Sequence, residues 1–387
     1  MKLSIDQKKV LNDILVWYKK DKDEMQYVTL GGYAGTGKTT LIAVLRKKLA
    51  SVNKKLKVAF VSYTGKAARV LNTKLRNEKV VNSQDSVGTI HSLIYSPIVN
   101  EKEEIIGWEI KEKISKNLII VDEASMVDET IWRHLLSYKI PIIAVGDHGQ
   151  LPPIKGRFNL MQKPHLLLEK IHRQARTNPI IDISIQAREK GHVETKTYAD
   201  CVKKYPANEM ESQEILDSML SNYNPDTLVL CGYNHTRKKL NNHIRNALGF
   251  TSIEPMVNDR VICLRNNHTK KIFNGMLGTI VEIKKKNEDW YLAEIAMDGD
   301  ARSYKGLIST KQFGSDTALN FTKKRSQIMR GDLFDFGYAL TVHKAQGSQA
   351  KKVILFEQRF RQMDDEAWRR WLYTAVTRAE EELYIFA

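Results

Sequence analysis

Long apolar runs and clustered cysteines are both missing from this 387-residue sequence. No apolar run reaches the roughly eighteen residues that a membrane-spanning helix needs, so no such helix is predicted. The N-terminus becomes polar at once and lacks the apolar core of a signal peptide, which predicts an intracellular protein. The three cysteines, Cys201, Cys231 and Cys263, lie far apart without a CxxC pair. This spacing favours reduced structural cysteines over a disulfide framework or a metal site.

Acidic residues are outnumbered by basic ones. The chain has 61 Lys and Arg against 45 Asp and Glu, which gives a formal charge of +16. An excess of this size suits a polyanionic partner such as nucleic acid, although charge alone identifies no site. The length exceeds that of one ordinary core and predicts two or more domains.

Short, continuously apolar runs alternate with helical stretches in two separate parts of the chain. The runs are Tyr27–Leu30, Val58–Ser62, Leu118–Val121 and Ile140–Val145 in the first part, and Thr227–Leu230, Val353–Phe356 and Leu383–Phe386 in the second. Runs of this kind are typical of strands buried in a parallel sheet between helices. The fold class is therefore α/β, with two sheets.

Two segments differ from this alternation. Arg260 to about Ser309 contains closely spaced strand patterns without helices between them, which predicts a small antiparallel barrel inserted in the second part. Tyr95 to Lys113 has alternating residues that indicate a hairpin inserted in the first part.

A phosphate-binding loop lies at Gly32–Thr39. The segment fits the pattern GxxxxGK[ST] and stands between a predicted strand and a predicted helix, which is the context that the motif requires. Glycines let backbone N–H groups surround phosphates, and the helix N-terminus adds a favourable dipole. Lys38 can reach the β- and γ-phosphates, and the Thr39 hydroxyl can bind Mg²⁺. The predicted nucleotide contacts of this segment are Gly35, Thr36, Gly37, Lys38, Thr39 and Thr40.

Polar residues follow the next strands. Asp122 and Glu123 come directly after Leu118–Val121, at the strand end where open α/β sheets bind ligands. Asp122 is expected to hold Mg²⁺, and Glu123 to orient and deprotonate the attacking water. Gln150, in Gly146–Pro153, can bond to both a γ-phosphate and that water.

Gln7 has two interpretations. Ser4 to Lys20 predicts an amphipathic helix, and Ser4-Ile5-Asp6-Gln7 is a good capping box in which Gln7 serves the helix N-terminus. A carboxamide is equally suited to bind the donor and acceptor edge of adenine. Both remain open on the residues alone.

The order of motifs resembles a superfamily 1 DNA helicase of the RecD/Dda-like group, whose members move 5′→3′ along single-stranded DNA. The similarity runs from Gln7 to Ala379. Besides the segments above it rests on Thr64–Arg69, Thr89–Leu93, Tyr338–Ser348 and Tyr373–Ala379. One departure is Tyr63, which precedes Thr64 where the family usually has proline.

The resemblance implies two RecA-like parallel-sheet domains with two insertions. The first RecA-like domain is expected at 1–88 and 114–170, with a hairpin called the pin at 89–113. The second is expected at 171–256 and 332–387, with an SH3-like β-barrel insertion at 257–331. Phe273-Asn274-Gly275 matches the usual start of that insertion, although Asn-Gly is also favourable hairpin chemistry.

The resemblance also supplies the second half of an ATP site. Arg378 matches the arginine finger, and Arg173 is similar to a second arginine that reaches the γ-phosphate. Gly347 is implied as a further nucleotide contact. The cofactors expected are ATP and Mg²⁺. A guanidinium opposite the transferred phosphoryl group stabilises charge in the transition state.

A motor that ignores sequence is expected to hold the strand by its backbone, with hydroxyls, amides and lysines. The candidates are Thr64, Lys66 and His91 in the first domain and Thr341, His343 and Lys344 in the second. Trp108 either splits the duplex on the pin or anchors the hairpin's own packing.

The function expected is an ATP-dependent 5′→3′ DNA helicase. It is expected to act on single-stranded DNA and on its junctions with duplex, with a single-stranded-DNA-binding protein as a further partner. No membrane attachment is expected, and the protein is expected to work as a monomer. A cytoplasmic protein of a bacterium, or of a phage in its host, fits this role. A translocase that remodels protein–DNA complexes and an RNA-acting motor are the alternatives. A small-molecule P-loop kinase does not need Gln150, Arg173 and Arg378, and a binding protein with a dead ATP site does not need an intact set of catalytic residues.

Overall fold

Two largely parallel sheets organise the chain, as the alternation of apolar runs and helices predicts. The computed structural model describes residues 3–99, 105–153, 158–171, 178–267, 269–300, 302–315, 319 and 330–387. The chain divides into two compact units, which are unit 1, Met1–Ile98 with Gly107–Ile181, and unit 2, Val99–Ile106 with Asp182–Ala387. Across the described ranges, no helix is long and apolar enough to cross a membrane.

The sheet of unit 1 is six-stranded and parallel in the order β3-β2-β6-β7-β1-β8. Its strands are β1 Tyr27–Gly32, β2 Val58–Ser62, β3 Ser86–Thr89, β6 Leu118–Asp122, β7 Ile142–Gly146 and β8 Leu166–Leu168. All strands run in one direction, so the segments that follow β1, β6 and β7 leave the sheet at the same edge.

Helices cover unit 1's sheet because alternate residues of each strand point to opposite faces. On β2, Val58 and Phe60 pack into one apolar core, while Ala59 and Val61 pack into another. The helices of this unit are α1 Ile5–Lys20, α2 Lys38–Val52, α3 Gly65–Asn77, α4 Ile90–Ile94 and α5 Glu129–Ser137.

A separate two-stranded sheet lies in the segment where the pin is expected. Its strands are β4 Tyr95–Val99 and β5 Ile105–Ile110. Trp108 stands on β5 and is 42% exposed. The action of this hairpin on a duplex stays a prediction.

Unit 2 has a second six-stranded sheet in the order β17-β11-β18-β19-β10-β9. Neighbouring strands are parallel, except that the short edge strand β9 runs antiparallel to β10. The strands are β9 Thr197–Ala199, β10 Val202–Tyr205, β11 Thr227–Cys231, β17 Ala339–Thr341, β18 Ala350–Phe356 and β19 Ala379–Phe386. The described helices are α6 Pro179–Lys190, α7 Met210–Ser221, α8 Asn234–Ala247 and α9 Asp365–Val376.

A five-stranded antiparallel sheet completes unit 2, in the order β15-β14-β13-β12-β16. Its strands are β12 Arg260–Cys263, β13 Leu277–Lys285, β14 Trp290–Met297, β15 Ser303–Ser309 and β16 Phe334–Phe336. This sheet has its own apolar core, which includes Ile280 and Ile295. The carboxylate of Asp332 is buried beside it and accepts hydrogen bonds from Lys270 and Tyr304. Its assignment as an SH3-like barrel stays a prediction.

Candidate nucleotide-binding and catalytic site

The phosphate-binding loop of unit 1 is open to an anion at the start of α2. Gly35 and Gly37 both have φ of 79°, a left-handed conformation that favours glycine. Gly37 is the N-cap of α2 and supplies no side-chain hydrogen bond to the helix. The first N–H groups of a helix without a side-chain cap attract an anion, and the helix dipole adds to this attraction.

Lys38 lies along this loop. Its ammonium donates hydrogen bonds to the carbonyls of Gly32 at 2.6 Å and Tyr33 at 3.0 Å. It also stands 3.9 Å from a carboxylate oxygen of Asp147, which is 1% exposed. The Thr36 hydroxyl donates to the Tyr33 carbonyl at 2.8 Å, so a hydrogen bond within the loop stabilises its conformation. The lysine is therefore directed into the loop that it is predicted to serve.

Gln7 fulfils the capping box and also contacts the phosphate-binding loop. The Ser4 N–H donates to Gln7 Oε1 at 3.1 Å, and the Gln7 N–H donates to Ser4 Oγ at 3.2 Å. The Gln7 side-chain Nε2 donates to the carbonyl of Thr36 at 3.1 Å, and the residue is 3% exposed. The two interpretations of Gln7 are thus compatible, because one buried amide serves the helix and reaches the nucleotide loop. Adenine recognition itself stays a prediction.

Two adjacent carboxylates lie where β6 ends. The Glu123 N–H donates to Asp122 Oδ1 at 3.0 Å. Burial, together with the neighbouring charge of Glu123, raises the pKa of Asp122 to about 6. Glu123 has φ of 53° and ψ of 40°, a left-handed conformation that costs a non-glycine residue on the order of 1–3 kcal/mol. Strain of this kind is often found at functional sites.

The carboxylates fit a divalent cation and an attacking water. Glu123 Oε2 is buried without a hydrogen-bond partner among the described residues. A buried carboxylate oxygen without a donor is costly, and a water bound to the site would satisfy it. Carboxylate and hydroxyl oxygens are the ligands that Mg²⁺ prefers, so Asp122 and Thr39 are suited to hold it.

Asp147 links the lysine to Gln150, a connection that the sequence motifs did not reveal. It follows β7, and its carboxylate accepts hydrogen bonds from the Gly149 N–H at 3.0 Å and from Gln150 Nε2 at 3.4 Å. Gln150 is 5% exposed. The position of Asp147 immediately after an apolar strand, like that of Asp122, is the sequence signal that could have identified it.

Of the two arginines predicted to reach the γ-phosphate, the structure describes only Arg378. Arg173 lies outside the described residues. Arg378 belongs to unit 2, is 3% exposed, and donates to the carbonyls of Thr374 at 2.9 Å and Ser348 at 3.2 Å. Gly347, with φ of 72°, directly precedes Ser348. Within unit 2, therefore, the guanidinium is held beside the Gly347 segment.

The strand-contact candidates of unit 1 follow β2 and β3. Thr64 caps α3 by accepting the Ala67 N–H at 3.2 Å. The ring of His91 lies near two tyrosines, with its centroid 6.2 Å from that of Tyr63 and 5.5 Å from that of Tyr95. Tyr63 stands where the family usually has proline, and its ring contacts that of His91. Lys66 lies in the first turn of α3.

A basic pocket of about 300 Å³ adjoins these candidates, and the sequence motifs gave no sign of it. Its walls include Lys111, Lys113 and Lys116 together with Thr89 and Ser92. The ammonium of Lys111 donates to the Ser92 carbonyl at 2.7 Å, and burial lowers the pKa of Lys116. The lysines come from the segment that returns from the hairpin, so only the fold brings them to α4.

The strand-contact candidates of unit 2 follow β17. Thr341 is the last residue of this strand and is 8% exposed. Burial lowers the pKa of His343, which favours the neutral imidazole. Lys344 is exposed, and its ammonium donates to Asn274 Oδ1 at 3.3 Å. The motif therefore contacts the segment between β12 and β13 of the antiparallel sheet.

Comparisons with known proteins agree with the motif order. The model of the AAA domain family matches residues 2–204, and the model of the UvrD-like helicase C-terminal domain matches residues 336–386. The RecBCD enzyme subunit RecD of Buchnera aphidicola is 24% identical over 99% of this chain and 76% of its own length. The ATP-dependent DNA helicase dda of Enterobacteria phage T4 is 24% identical, covering 99% of this chain and 98% of its own.

A longer relative and a solved structure extend this picture. The ATP-dependent RecD2 DNA helicase of Deinococcus radiodurans is 26% identical over 92% of this chain, which spans only 46% of that protein. The crystal structure of a Pif1 helicase from Bacteroides in complex with ADP-AlF3 and single-stranded DNA shares the fold, with a TM-score of 0.58 and 19% identity over 100% of this chain and 92% of its own. The chain therefore belongs to the AAA domain family and is an ATP-dependent enzyme of the RecD/Dda-like group of superfamily 1 helicases.

Proposed function

We propose that this chain moves 5′→3′ along single-stranded DNA and unwinds duplex by coupling ATP hydrolysis to closure of its two units. The observation that carries the proposal is the set of polar side chains that the sheet of unit 1 brings to one edge. Lys38 follows β1, Asp122 ends β6 and Gln150 follows β7. In this proposal Arg378, which belongs to unit 2, acts on the same nucleotide and couples its hydrolysis to closure.

The residues of unit 1 have distinct roles in this proposal. Backbone N–H groups from Gly35 to Thr40 hold the phosphates, with Lys38 at the β- and γ-phosphates. Thr39 and Asp122 hold Mg²⁺, which neutralises phosphate charge when bound. Gln7 meets the adenine edge, next to its contact with the loop at Thr36.

Hydrolysis needs a water positioned in line with the γ-phosphate. Glu123 accepts the proton of this water through its buried carboxylate, and Gln150 orients the water. Arg173 and Arg378 stabilise the charge of the transferring phosphoryl group, and Gly347 contributes a backbone contact beside Arg378. The Asp147 carboxylate positions Gln150 and Lys38.

The strand is held at two grips by contacts that do not depend on base sequence. Thr64, Lys66 and His91 form the grip of unit 1, and Thr341, His343 and Lys344 form that of unit 2. The hairpin with Trp108 separates the duplex ahead of the strand. The relatives, which include DNA helicases and a complex with single-stranded DNA, favour DNA as the track.

The cellular setting follows from this role. The enzyme acts as a cytoplasmic monomer in a bacterium or a phage-infected cell, on single-stranded DNA and its junctions with duplex. A single-stranded-DNA-binding protein shares this substrate and is proposed as a functional partner.

Partial duplexes that carry either a 5′ or a 3′ single-stranded tail test the proposal. Unwinding with ATP is expected only from the 5′ tail, and ATPase measured in the same reaction is expected to rise with single-stranded DNA. Unwinding from the 3′ tail alone contradicts the direction. The remodelling translocase is favoured if ATPase activity is high and streptavidin is displaced from a biotinylated strand, but no duplex is unwound. A preference for RNA tails favours an RNA motor.

Two variants control this assay. Lys38→Ala is expected to abolish both hydrolysis and unwinding, because it removes the ammonium directed into the phosphate loop. Lys48→Ala lies on the exposed face of the same helix and is expected to keep both activities. DNA-stimulated turnover in the Lys38 variant contradicts the assignment of the loop.

A further inference from the structure

We infer that Tyr233, His235 and Phe360 form an aromatic platform on unit 2 that stacks on an unpaired base of the single strand. The inference rests on the proposed function, in which Thr341, His343 and Lys344 hold the same strand by its backbone. None of the three platform residues belongs to a sequence motif assigned to the strand.

Sheet topology places the platform beside the grip of unit 2. In the parallel sheet, β11 lies between β17 and β18, with Cys231 opposite Thr341 and Leu230 opposite Leu355. The segments that follow these three strands consequently leave the sheet at one edge. Tyr233 follows the end of β11 by two residues and Phe360 follows the end of β18 by four.

The rings are already arranged around Tyr233. Its centroid lies 4.5 Å from that of Phe360 at an interplanar angle of 88°, and 5.2 Å from that of His235 at 28°. An edge-to-face pair beside a stacked pair is a favourable aromatic geometry. One ring, that of Tyr233, therefore contacts both of its neighbours.

Gln358 holds the two loops of the platform together. Its Oε1 accepts the Gly232 N–H at 3.0 Å, and its Nε2 donates to Thr236 Oγ1 at 3.1 Å. The Tyr233 hydroxyl donates to the carbonyl of Arg359 at 3.2 Å. A Cβ at Gly232 would lie 2.9 Å from the Gln358 carbonyl oxygen, so glycine is required for this close approach. The platform is preorganised, which lowers the entropic cost of binding.

Exposure and charge identify the occupant. His235 is exposed, whereas Tyr233 and Phe360 are half-buried. Arg359 pairs with Asp365 at 2.5 Å, and Arg361, the residue after Phe360, is exposed. Aromatic faces beside a cation suit a nucleobase with its phosphate, because every base has a π-face whatever the sequence. The adjoining backbone grip selects a base of single-stranded DNA as the occupant.

Binding of a dT oligonucleotide tests the platform, with single abasic positions moved along the strand. We expect that the combined variant His235→Ala and Phe360→Leu binds the intact strand about 5- to 150-fold more weakly than the natural protein, the range for loss of one stacked base. One abasic position is expected to weaken binding by the natural protein and to have no further effect on the variant.

His243→Ala is the matched control. It removes an exposed histidine from the same helix, α8, about 12 Å along the axis from His235. Its affinity is expected to equal that of the natural protein. Thermal melting and circular dichroism confirm that each variant is folded, and Phe360→Tyr replaces Phe360→Leu if the latter is not.

The outcomes separate this inference from the proposed function. If the natural protein binds no single-stranded DNA, both are overturned. If it binds but the platform variants bind equally well, or keep the full abasic penalty, only the platform is overturned. A platform occupied by a protein side chain rather than a base gives this second outcome.

Discussion

The side-chain amide of Gln7 donates a hydrogen bond to the carbonyl of Thr36, 29 residues away, at 3.1 Å. The same side chain accepts the N–H of Ser4 and so closes the capping box of α1. One residue therefore connects the first helix to the phosphate-binding loop. Since a carbonyl of the loop is held from outside, the loop's N–H groups keep a fixed direction, which is what phosphate binding requires.

Two substitutions separate these roles of Gln7. Gln7→Glu keeps an acceptor for Ser4, because a capping box accepts Glu as well as Gln, but an ionised carboxylate cannot donate to Thr36. We expect its Tm to fall, because a carboxylate is then buried opposite the Thr36 carbonyl oxygen, and its KM for ATP to rise. Gln7→Ala loses both contacts and is expected to cost about 0.5–2 kcal/mol of stability as well.

ATP and GTP measured in parallel report on the base itself. If Gln7 meets adenine, its loss raises KM for ATP more than KM for GTP. Equal increases for both nucleotides restrict Gln7 to the loop. Unchanged KM values for both variants contradict any role in nucleotide binding.

Sequence reasoning succeeded where local chemistry fixes the structure. The phosphate-binding loop and the carboxylates after β6 could be placed because strand, turn and helix are adjacent in the chain. Each sheet was predictable because apolar strands buried on both faces are nearly continuous runs. The short strands β9 and β17 were not predicted, since three residues carry too little pattern to stand out.

The sequence patterns could not predict contacts between segments that are distant in the chain. Nothing in the sequence places Lys111 beside Ser92, or Gln358 between Gly232 and Thr236, because the sheet connections bring them together. For Gln7, the residues alone leave a capping role and an adenine contact open. A buried amide has both a donor and an acceptor, so the structure satisfies the capping box and reaches the loop at once.

Glu123→Gln is expected to uncouple ATP binding from hydrolysis. The amide is close to the carboxylate in size and stays at the end of β6, but it cannot take a proton from water. Loss of a general base lowers turnover by about 10²–10⁴-fold. Binding of a fluorescent ATP analogue is expected to be retained, because the loop residues are unchanged.

Glu129→Gln is the control for this loss of charge. Glu129 is exposed at the start of α5, and its variant is expected to hydrolyse ATP normally. Normal turnover in the Glu123 variant contradicts the role of Glu123 as the base.

His343 makes the stability of unit 2 depend on pH. Burial lowers its pKa below the ordinary value of 6.5, so the unfolded chain binds a proton that the folded chain does not. This contribution is fully present above about pH 6.5 and is lost as pH falls toward the lowered pKa. His343→Gln has no such titration. The Tm of the natural protein relative to that of the variant is therefore expected to fall between pH 7.5 and pH 5.5.

The same melting curves with Asn242→Ala provide the comparison. Asn242 is exposed on α8 and has no group that titrates over this pH range, so its variant is expected to track the natural protein. A constant difference in Tm between the natural protein and His343→Gln would falsify the effect of burial on His343.

Arg378 is expected to affect turnover far more than nucleotide binding. Its guanidinium is held by the carbonyls of Thr374 and Ser348, so its direction is set within unit 2. Arginine fingers contribute about 10³–10⁵-fold to turnover, and Arg378→Ala should lose an effect of this order while nucleotide affinity changes little. Arg378→Lys keeps the charge but not the planar fork, so it is expected to remain slow.

Stability measured beside turnover distinguishes catalysis from packing. A buried guanidinium that donates several hydrogen bonds also supports the fold, so both Arg378 variants should melt at lower temperature. Turnover is therefore compared well below each Tm, with Arg302→Ala, an exposed position, as the control. If turnover recovers once the folded fraction is taken into account, Arg378 is a packing residue. If folded Arg378→Ala still binds nucleotide and stays slow, Arg378 acts in catalysis rather than in packing.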